Sequence, residues 1–259
     1  MPKKPGGSRP RPASDTEVLD PERHSQVCES LRRASAKSCD LIPRGSNYTF
    51  LVKLSLDDRD IGHGIYKPRK GENPLWDFPA GTLFKREYAA YLLSEALGWR
   101  FVPPTVIWNG PHGTGSLQLF IHAEPRVTYF ELREPHPQEV KRIAAFDLIA
   151  NNADRKGGHC IKDLNGKVWG IDHGLTFSVE HKLRTVIWDF GGAPIPQETL
   201  DEIARELARF HIPGGLSHTL KGVLFDEEIE SLALRMQEVL HNPVFPEIQA
   251  RWDVPWPLI

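Results

Sequence analysis

Two aspartates and a histidine flank a predicted hairpin in the second half of the chain. Asp154 and His159 stand in a polar loop that follows an apolar, helix-like segment, and Asp172 comes directly after the hairpin. Residues 160–171 predict this hairpin because two short apolar runs enclose a cluster of turn residues. A hairpin brings its two ends together, so we expect the three side chains to converge. Two carboxylates and an imidazole at one place can hold a hard cation and orient a hydroxyl group.

Candidate phosphate-binding groups stand in the first half. Lys67 ends a predicted strand and can supply the positive charge that phosphate groups need. Glu87 lies in the helix that follows and can hold that lysine in place. Gly45, Ser46 and Asn47 form a turn between two predicted strands, where their backbone N–H groups can face phosphates.

The elements that must position these residues form two groups. The first half predicts the order β-β-β-α-β-β, with strands at 39–42, 48–55, 62–67, 105–108 and 116–122 and a helix at 82–97 capped by Gly98. The second half predicts a buried helix, apolar on nearly all sides, and two amphipathic helices, at 138–150, 198–210 and 225–240. We expect a flexible tail at 1–22, a first lobe at 23–124 and a second lobe at 125–259, joined through a polar, proline-rich connector.

Composition and charge narrow the class of protein. The chain has 259 residues, of which 40% are hydrophobic and 25% charged, enough for two lobes with a real core. A formal net charge of -2 lacks the basic excess of a nucleic-acid binder, and no apolar run reaches the length of a membrane span. The three cysteines favour free thiols, and the N-terminus lacks the apolar segment of a secretory signal. We therefore expect a cytoplasmic protein; its oligomeric state cannot be read from the sequence.

Four segments carry a resemblance to a known family. The run N-x-x-D-R-x-x-x-H at 151–159, followed by IDHGLTF at 171–177, resembles the catalytic and metal-binding loops of the phosphatidylinositol 3/4-kinase superfamily. The likeness is to the type II phosphatidylinositol 4-kinases first and to HipA-type bacterial kinases more distantly. Residues 65–68 and 86–93 are similar to the lysine strand of these kinases and the helix after it. The likeness covers about residues 38–242 and extends to an actinobacterial family with such a kinase-like domain.

The resemblance implies a fold and a reaction. The fold is an α+β, two-lobed protein-kinase-like fold, with a small antiparallel sheet and a helix in the N-lobe and a mainly helical C-lobe that carries a catalytic hairpin. The reaction is ATP-dependent phosphotransfer with Mg as the metal. The acceptor is unknown; the absence of a basic amphipathic helix favours a soluble protein or small molecule over a lipid.

The resemblance also implies a role for each candidate residue. Asp154 corresponds to the catalytic aspartate, Asp172 to the magnesium aspartate, Lys67 to the ATP-binding lysine and Glu87 to its ion-pair partner. The turn 45–47 corresponds to the phosphate loop. The stretch from Gln118 to His122 leads into the connector, where adenine is expected to stack.

His159 departs from the family pattern, because these kinases usually have asparagine there as a second metal ligand. Imidazole is a softer ligand than an amide oxygen, so Mn is expected to compete with Mg. The substitution leaves open a nucleotide-binding pseudokinase or partner-binding module, and transfer of AMP in place of phosphate is a further alternative.

Simpler interpretations exist for several of these residues. Asp154 can cap a turn, Glu87 can pair with a neighbour on its own helix, and His173 can make a loop hydrogen bond. Arg155 and Lys156 can be solvated or can meet an anionic substrate. Two further alternatives are a zinc site formed by His159-Cys160 with Asp172-His173, and a PLWDF loop, residues 74–78, that shapes a cleft.

Overall fold

The computed structural model describes residues 19–43 and 45–259. The flexible tail predicted at 1–22 therefore lies almost wholly outside the described residues. Within the described ranges, no helix combines the length and the apolar composition needed to cross a bilayer.

A five-stranded antiparallel sheet forms the first lobe, with the strands in the order β1-β2-β3-β5-β4. The strands are β1 (Ser35–Ile42), β2 (Thr49–Leu56), β3 (Arg59–Pro68), β4 (Thr105–Gly110) and β5 (Gly113–Leu119). The predicted order of elements along the chain, β-β-β-α-β-β, is confirmed. β1 begins four residues before the predicted apolar run, because it is an edge strand whose first half is largely exposed and polar.

Two helices pack on this sheet, α1 (His24–Arg33) and α2 (Leu83–Ala96). Both contact β4 and β5. α1 buries Val27 and Leu31, which lie one helical turn apart. α2 lies between the sheet and the second lobe and is buried on several sides. The predicted stop at Gly98 is confirmed, since this glycine has a φ of 74° and closes the helix end.

The second lobe contains five helices and a two-stranded hairpin in the described part of the chain. They are α3 (Tyr129–Leu132), α4 (Pro137–Ala150), β6 (Cys160–Lys162), β7 (Val168–Gly170), α5 (Gln197–Arg209), α6 (Leu216–Leu220) and α7 (Asp226–His241). The buried helix, the hairpin and the two amphipathic helices occur where the sequence predicts them. The short helices α3 and α6 were not predicted. One apolar cluster runs through both lobes.

The connector between the lobes is held against the hairpin. Glu124 donates its backbone N–H to the carbonyl of Lys162 at 2.8 Å, and Ala123 forms a β-bridge with Asp163. α3 lies within this connector and contacts β6. The position of the hairpin relative to the sheet is therefore fixed by backbone contacts.

Candidate active site

Lys67 lies near the end of β3 and contacts carboxylates from both lobes. Its Nζ forms an ion pair with Glu87 of α2 and lies 2.8 Å from Oδ1 of Asp172. Glu87 is only 3% exposed, and its Oε2 accepts the backbone N–H of His173 at 2.9 Å. Glu87 therefore joins α2 to the segment after the hairpin. It does not pair with a neighbour on its own helix.

Burial and mutual charge interactions shift the pKa values of Lys67, Glu87 and Asp172. Burial lowers the pKa of Lys67, but the adjacent Asp172 and Glu87 carboxylates outweigh burial and raise the pKa above its ordinary value. Removal from water raises the pKa of Asp172, but the charge and the hydrogen bond of Lys67 outweigh this, so the pKa lies well below its ordinary value. Burial is the largest influence on Glu87 and raises its pKa. Because its pKa is low, Asp172 is ionised, and its side chain is half exposed to solvent.

Asp154 lies in the second lobe, in the loop that follows α4. Its Oδ2 is 3.1 Å from Nζ of Lys156, and both side chains are partly buried. Burial raises the pKa of Asp154, and the Lys156 ammonium limits that rise. Lys156 is therefore a partner of Asp154 and lines the cavity, which disfavours the alternative of a fully solvated lysine.

Arg155 is part of the framework beneath this loop. It is 0% exposed, and its Nε and Nη2 donate to the two oxygens of Asp147 at 2.8 Å each. Nη1 donates to the carbonyl of Ile171 at 3.0 Å, and Nη2 lies 2.7 Å from Nε2 of His173. The predictions that Arg155 is solvated or meets an anionic substrate are wrong, because it is enclosed by α4 and the exit of the hairpin. The expected loop hydrogen bond of His173 is confirmed.

Asp147 and Asn152 are structural residues that sequence reasoning missed. Asn152 is fully buried, donates to Oδ1 of Asp147 at 2.9 Å and accepts the backbone N–H of Asp154 at 3.0 Å. Asp147 therefore supports the loop through both Arg155 and Asn152. One signal was available: an acidic residue in a helix that is apolar on nearly all sides needs a buried partner.

His159 faces Asp172, with its Nε2 3.4 Å from Oδ2. Burial lowers the pKa of His159 to about 4, so the ring is neutral near pH 7. Nδ1 lies 3.3 Å from the backbone nitrogen of Lys156, which is a donor, and this assigns the proton of the neutral ring to Nε2. In this arrangement the Nε2 proton of His159 faces the Asp172 carboxylate.

The zinc site considered for His159-Cys160 with Asp172-His173 has no support in the arrangement of these side chains. Among residues 19–43 and 45–259, no group of three or more His, Cys, Asp or Glu side chains is arranged to hold a metal ion. Cys160 is fully buried, and burial raises the pKa of its thiol to about 12. His173 is engaged with Arg155.

The turn between β1 and β2 borders the same cleft. Gly45, Ser46 and Asn47 line a cavity of about 760 Å³, open to solvent, whose walls also include Lys67, Glu87, Asp154, Lys156 and Asp172. Asn73 fixes the turn from outside: its backbone N–H donates to Oδ1 of Asn47 at 2.8 Å, and its side chain donates to the carbonyl of Ser46. The structure thus brings the predicted turn, Lys67 and both aspartates into one cavity.

Gln118 and His122 do not join this group. Gln118 is buried in the sheet, where its Nε2 donates to the hydroxyl of Thr105 at 2.9 Å. His122 is exposed. Neither residue lines the cavity described above.

The chain is similar in sequence to several curated proteins. No protein-family model matches the chain. Protein Rv2133c of Mycobacterium tuberculosis (strain ATCC 25618 / H37Rv) is 39% identical over 251 residues, covering 83% of this chain and 89% of the relative. Phosphatidylinositol 4-kinase gamma 4 of Oryza sativa subsp. japonica is 29% identical over 171 residues, covering 59% of this chain. The chain spans only 28% of that rice protein's length.

The fold has counterparts among solved structures. The crystal structure of the Golgi casein kinase with Mn/ADP bound matches with a TM-score of 0.55 at 13% identity, covering 88% of this chain and 77% of the kinase. Likeness at this identity concerns the fold alone. The predicted two-lobed, α+β, protein-kinase-like fold is confirmed, and the matches support a kinase-like superfamily without selecting the type II phosphatidylinositol 4-kinases within it.

Proposed function

The chain belongs to the family of Protein Rv2133c of Mycobacterium tuberculosis, and we propose that it is an ATP-dependent phosphotransferase of the phosphatidylinositol 3/4-kinase-like class. The observation that carries the proposal is the position of Lys67 between Glu87 and Asp172, with Asp154 on the same cavity. We propose a soluble protein or small molecule as the acceptor in preference to a lipid.

Nucleotide binding would begin with groups that are already in place. Lys67 is held by Glu87, so its ammonium needs little reorganisation to meet phosphate oxygens. The turn 45–47 lies on the same cavity and offers backbone N–H groups to the phosphates. Phosphoryl transfer depends mainly on such positioning and on electrostatic stabilisation.

A divalent cation, Mg or Mn, would be held by Asp172 together with the nucleotide phosphates. Asp172 fits this role because it is ionised, half exposed and adjacent to the proposed phosphate site. The Mn/ADP of the Golgi casein kinase supports a metal-nucleotide pair in this fold. When bound, the cation neutralises charge on the phosphate oxygens.

His159 would help to hold the Asp172 carboxylate in place, because its Nε2 faces Oδ2 at 3.4 Å. Direct ligation by Nε2 would require its proton to move to Nδ1 and the contact with the Lys156 backbone to break.

Asp154 would orient the acceptor hydroxyl and take its proton. It lies on the cavity with Lys67 and Asp172, and its raised pKa makes it a better base than an ordinary exposed aspartate. The Lys156 ammonium favours the ionised form of Asp154 and so opposes the effect of burial.

Transfer of radioactive phosphate from ATP labelled at the γ position tests this assignment. We expect Asp154→Asn and Asp172→Asn to lower release of label to water, or transfer to an added polypeptide, by about 100-fold or more. Asp57→Asn is the matched control, because Asp57 is an exposed turn residue outside the cavity, and it should transfer as the native chain does. Equal transfer by the native chain and both cavity variants would show that the reaction is assigned to the wrong residues.

A nucleotide-binding module without transfer is the second candidate. The favouring observation is that the Nε2 proton of His159 faces Asp172, where the related kinases offer an amide oxygen. This candidate predicts that the protein is stabilised against heat by ATP with Mg or Mn and releases no label. ATP labelled at the α phosphate separates it from AMP transfer, which would label the acceptor.

A further inference from the structure

A second groove opens beside the candidate active site. Its walls are the loop 76–79, the segment 178–180 and the start of α7, and it encloses about 1050 Å³ of space open to solvent. Trp76, Val179 and Phe225 expose 91%, 53% and 52% of their surfaces, and all three line this groove. Single exposed apolar side chains are common, whereas several on one concave surface indicate an interaction site.

The groove lies next to the cavity that holds Asp154. A small apolar cluster of Phe78, Leu83, Ala153 and Leu175 separates the two. Leu83 and Leu175 line the cavity, and Phe78 lines the groove. A ligand in the groove therefore lies next to the loop that carries Asp154.

Hydrogen bonds also connect the groove to the loop that carries Asp154. Asn151, three residues before Asp154, donates from its side chain to the carbonyls of Ser178 and Glu180 at 3.0 and 2.6 Å. Ala153 donates its backbone N–H to the carbonyl of Leu175 at 2.8 Å. The floor of the groove and the Asp154 loop thus form one hydrogen-bonded unit.

The charge of the groove is acidic. The charged residues that line it are Asp77, Glu180, Glu227 and Glu228. Asp77 is paired with Lys182 at 3.3 Å and Glu228 with Arg86, and both cations are largely buried. Glu180 is 80% exposed in its side chain, and Glu227 is also exposed. Lys182 also lies 3.3 Å from Glu180, so a ligand would meet apolar walls, the partly neutralised carboxylate of Glu180 and the exposed carboxylate of Glu227.

We propose that this groove docks the acceptor and that the acceptor is a polypeptide segment with interspersed apolar and basic side chains. The term acceptor rests on the phosphotransfer proposed above, whereas docking itself requires no nucleotide. Lys182 lies over one face of the Trp76 ring, 5.2 Å from its centroid, and Trp76 is still 91% exposed. An arginine side chain suits the outer face of Trp76 and the exposed Glu180 and Glu227 carboxylates. An anionic bilayer suits the groove less well, because its surface would be repelled by Glu180 and Glu227.

Binding of defined peptides, measured by fluorescence anisotropy without nucleotide, tests the docking surface. The probe is a labelled 12-residue peptide of alternating arginine and leucine with one central serine. Two comparison peptides replace either all arginines by glutamate or all leucines by serine. We expect the arginine–leucine peptide to bind. Each comparison peptide should bind with an affinity at least about 10-fold lower.

Variants of exposed residues locate the binding. Trp76→Ala and Glu227→Lys should each weaken binding of the arginine–leucine peptide by about 10-fold. Trp252→Ala and Glu230→Lys are the matched controls, since both residues are exposed and lie outside the groove, and they should leave binding unchanged. Thermal melting of each variant checks that it is folded.

Three results would overturn the docking proposal: no binding of the arginine–leucine peptide, equal loss in the groove and control variants, or Trp76-dependent binding of phosphatidylserine vesicles in place of the peptide. Failure of phosphotransfer is read separately. If the peptide binds through Trp76 and Glu227 but labelled ATP is never consumed, the groove is a peptide-docking surface and the phosphotransferase proposal fails.

Discussion

Lys156 controls the charge of Asp154, because its ammonium is the main influence that opposes burial. Lys156→Met removes that influence, so the pKa of Asp154 rises further above its ordinary value. A base is active only when it is ionised. The acid limb of the pH dependence of kcat/KM is therefore expected to move to higher pH, with activity at pH 5 falling more than activity at pH 8.

Lys156→Arg is the control for this prediction, because it keeps a cation near Asp154 and should leave the acid limb close to its native position. Label transfer measured between pH 4.5 and 9 gives both curves. A methionine variant that is slower at every pH but has an unchanged acid limb would contradict the role given to Lys156.

Residue identity in the candidate site was more predictable than residue environment. Lys67, Glu87, Asp154 and Asp172 were selected by type and order along the chain, and they occupy one cavity. Arg155 was not placed correctly, because its partner Asp147 lies eight residues earlier, inside α4. Asp147 in an apolar helix indicates that a buried partner exists, but no local pattern identifies that partner as Arg155.

At the scale of elements, a buried ion pair holds α2 against the second lobe. Arg86 of α2 pairs with Glu228 of α7, and their side chains are 1% and 7% exposed. Arg86 also donates to the carbonyl of Thr176 at 2.5 Å. Because Glu87 is the next residue, this contact fixes the helix that positions Lys67.

Glu228→Gln is expected to destabilise the protein by about 3–5 kcal/mol, because the Arg86 charge stays buried without its counter-ion. Urea unfolding followed by tryptophan fluorescence measures the change. Glu198→Gln is the control: Glu198 is 79% exposed and 3.8 Å from Arg142, and its loss should cost about 0.5 kcal/mol or less. Similar costs for the two variants would mean that the buried pair does not lock α2.

Elements with a strong local pattern were predicted well. Apolar spacing located α2 and α4, and turn residues located the β6–β7 hairpin. α3 was missed inside a proline-rich stretch, although Thr128 and Glu131 form a capping box that is visible as T-x-x-E in the sequence. The order of the strands within the sheet was not predicted. The pairing of β3 with β5 joins residues about 50 positions apart and depends on tertiary packing.

At the scale of the whole molecule, the candidate site joins the two lobes. Lys67 belongs to the sheet lobe and Asp172 to the helical lobe, and their contact is 2.8 Å. A nucleotide that binds both residues should stabilise the folded molecule as a unit. At about 100 times its dissociation constant, such a ligand adds about 2.7 kcal/mol to the free energy of unfolding.

Lys67→Met should abolish most of this stabilisation, because it removes the cation expected to meet the phosphates and leaves the Glu87 and Asp172 carboxylates without their shared partner. Thermal melting with a non-hydrolysable ATP analogue and Mg, repeated with Mn, measures the shift. Lys70→Met is the matched control, since Lys70 is an exposed lysine three residues along that does not line the cavity, and it should keep the full shift. If the analogue stabilises both variants equally, nucleotide binds elsewhere. If it stabilises neither variant nor the native chain under either metal, the cleft does not take nucleotide, and both the phosphotransferase and the nucleotide-binding module are excluded.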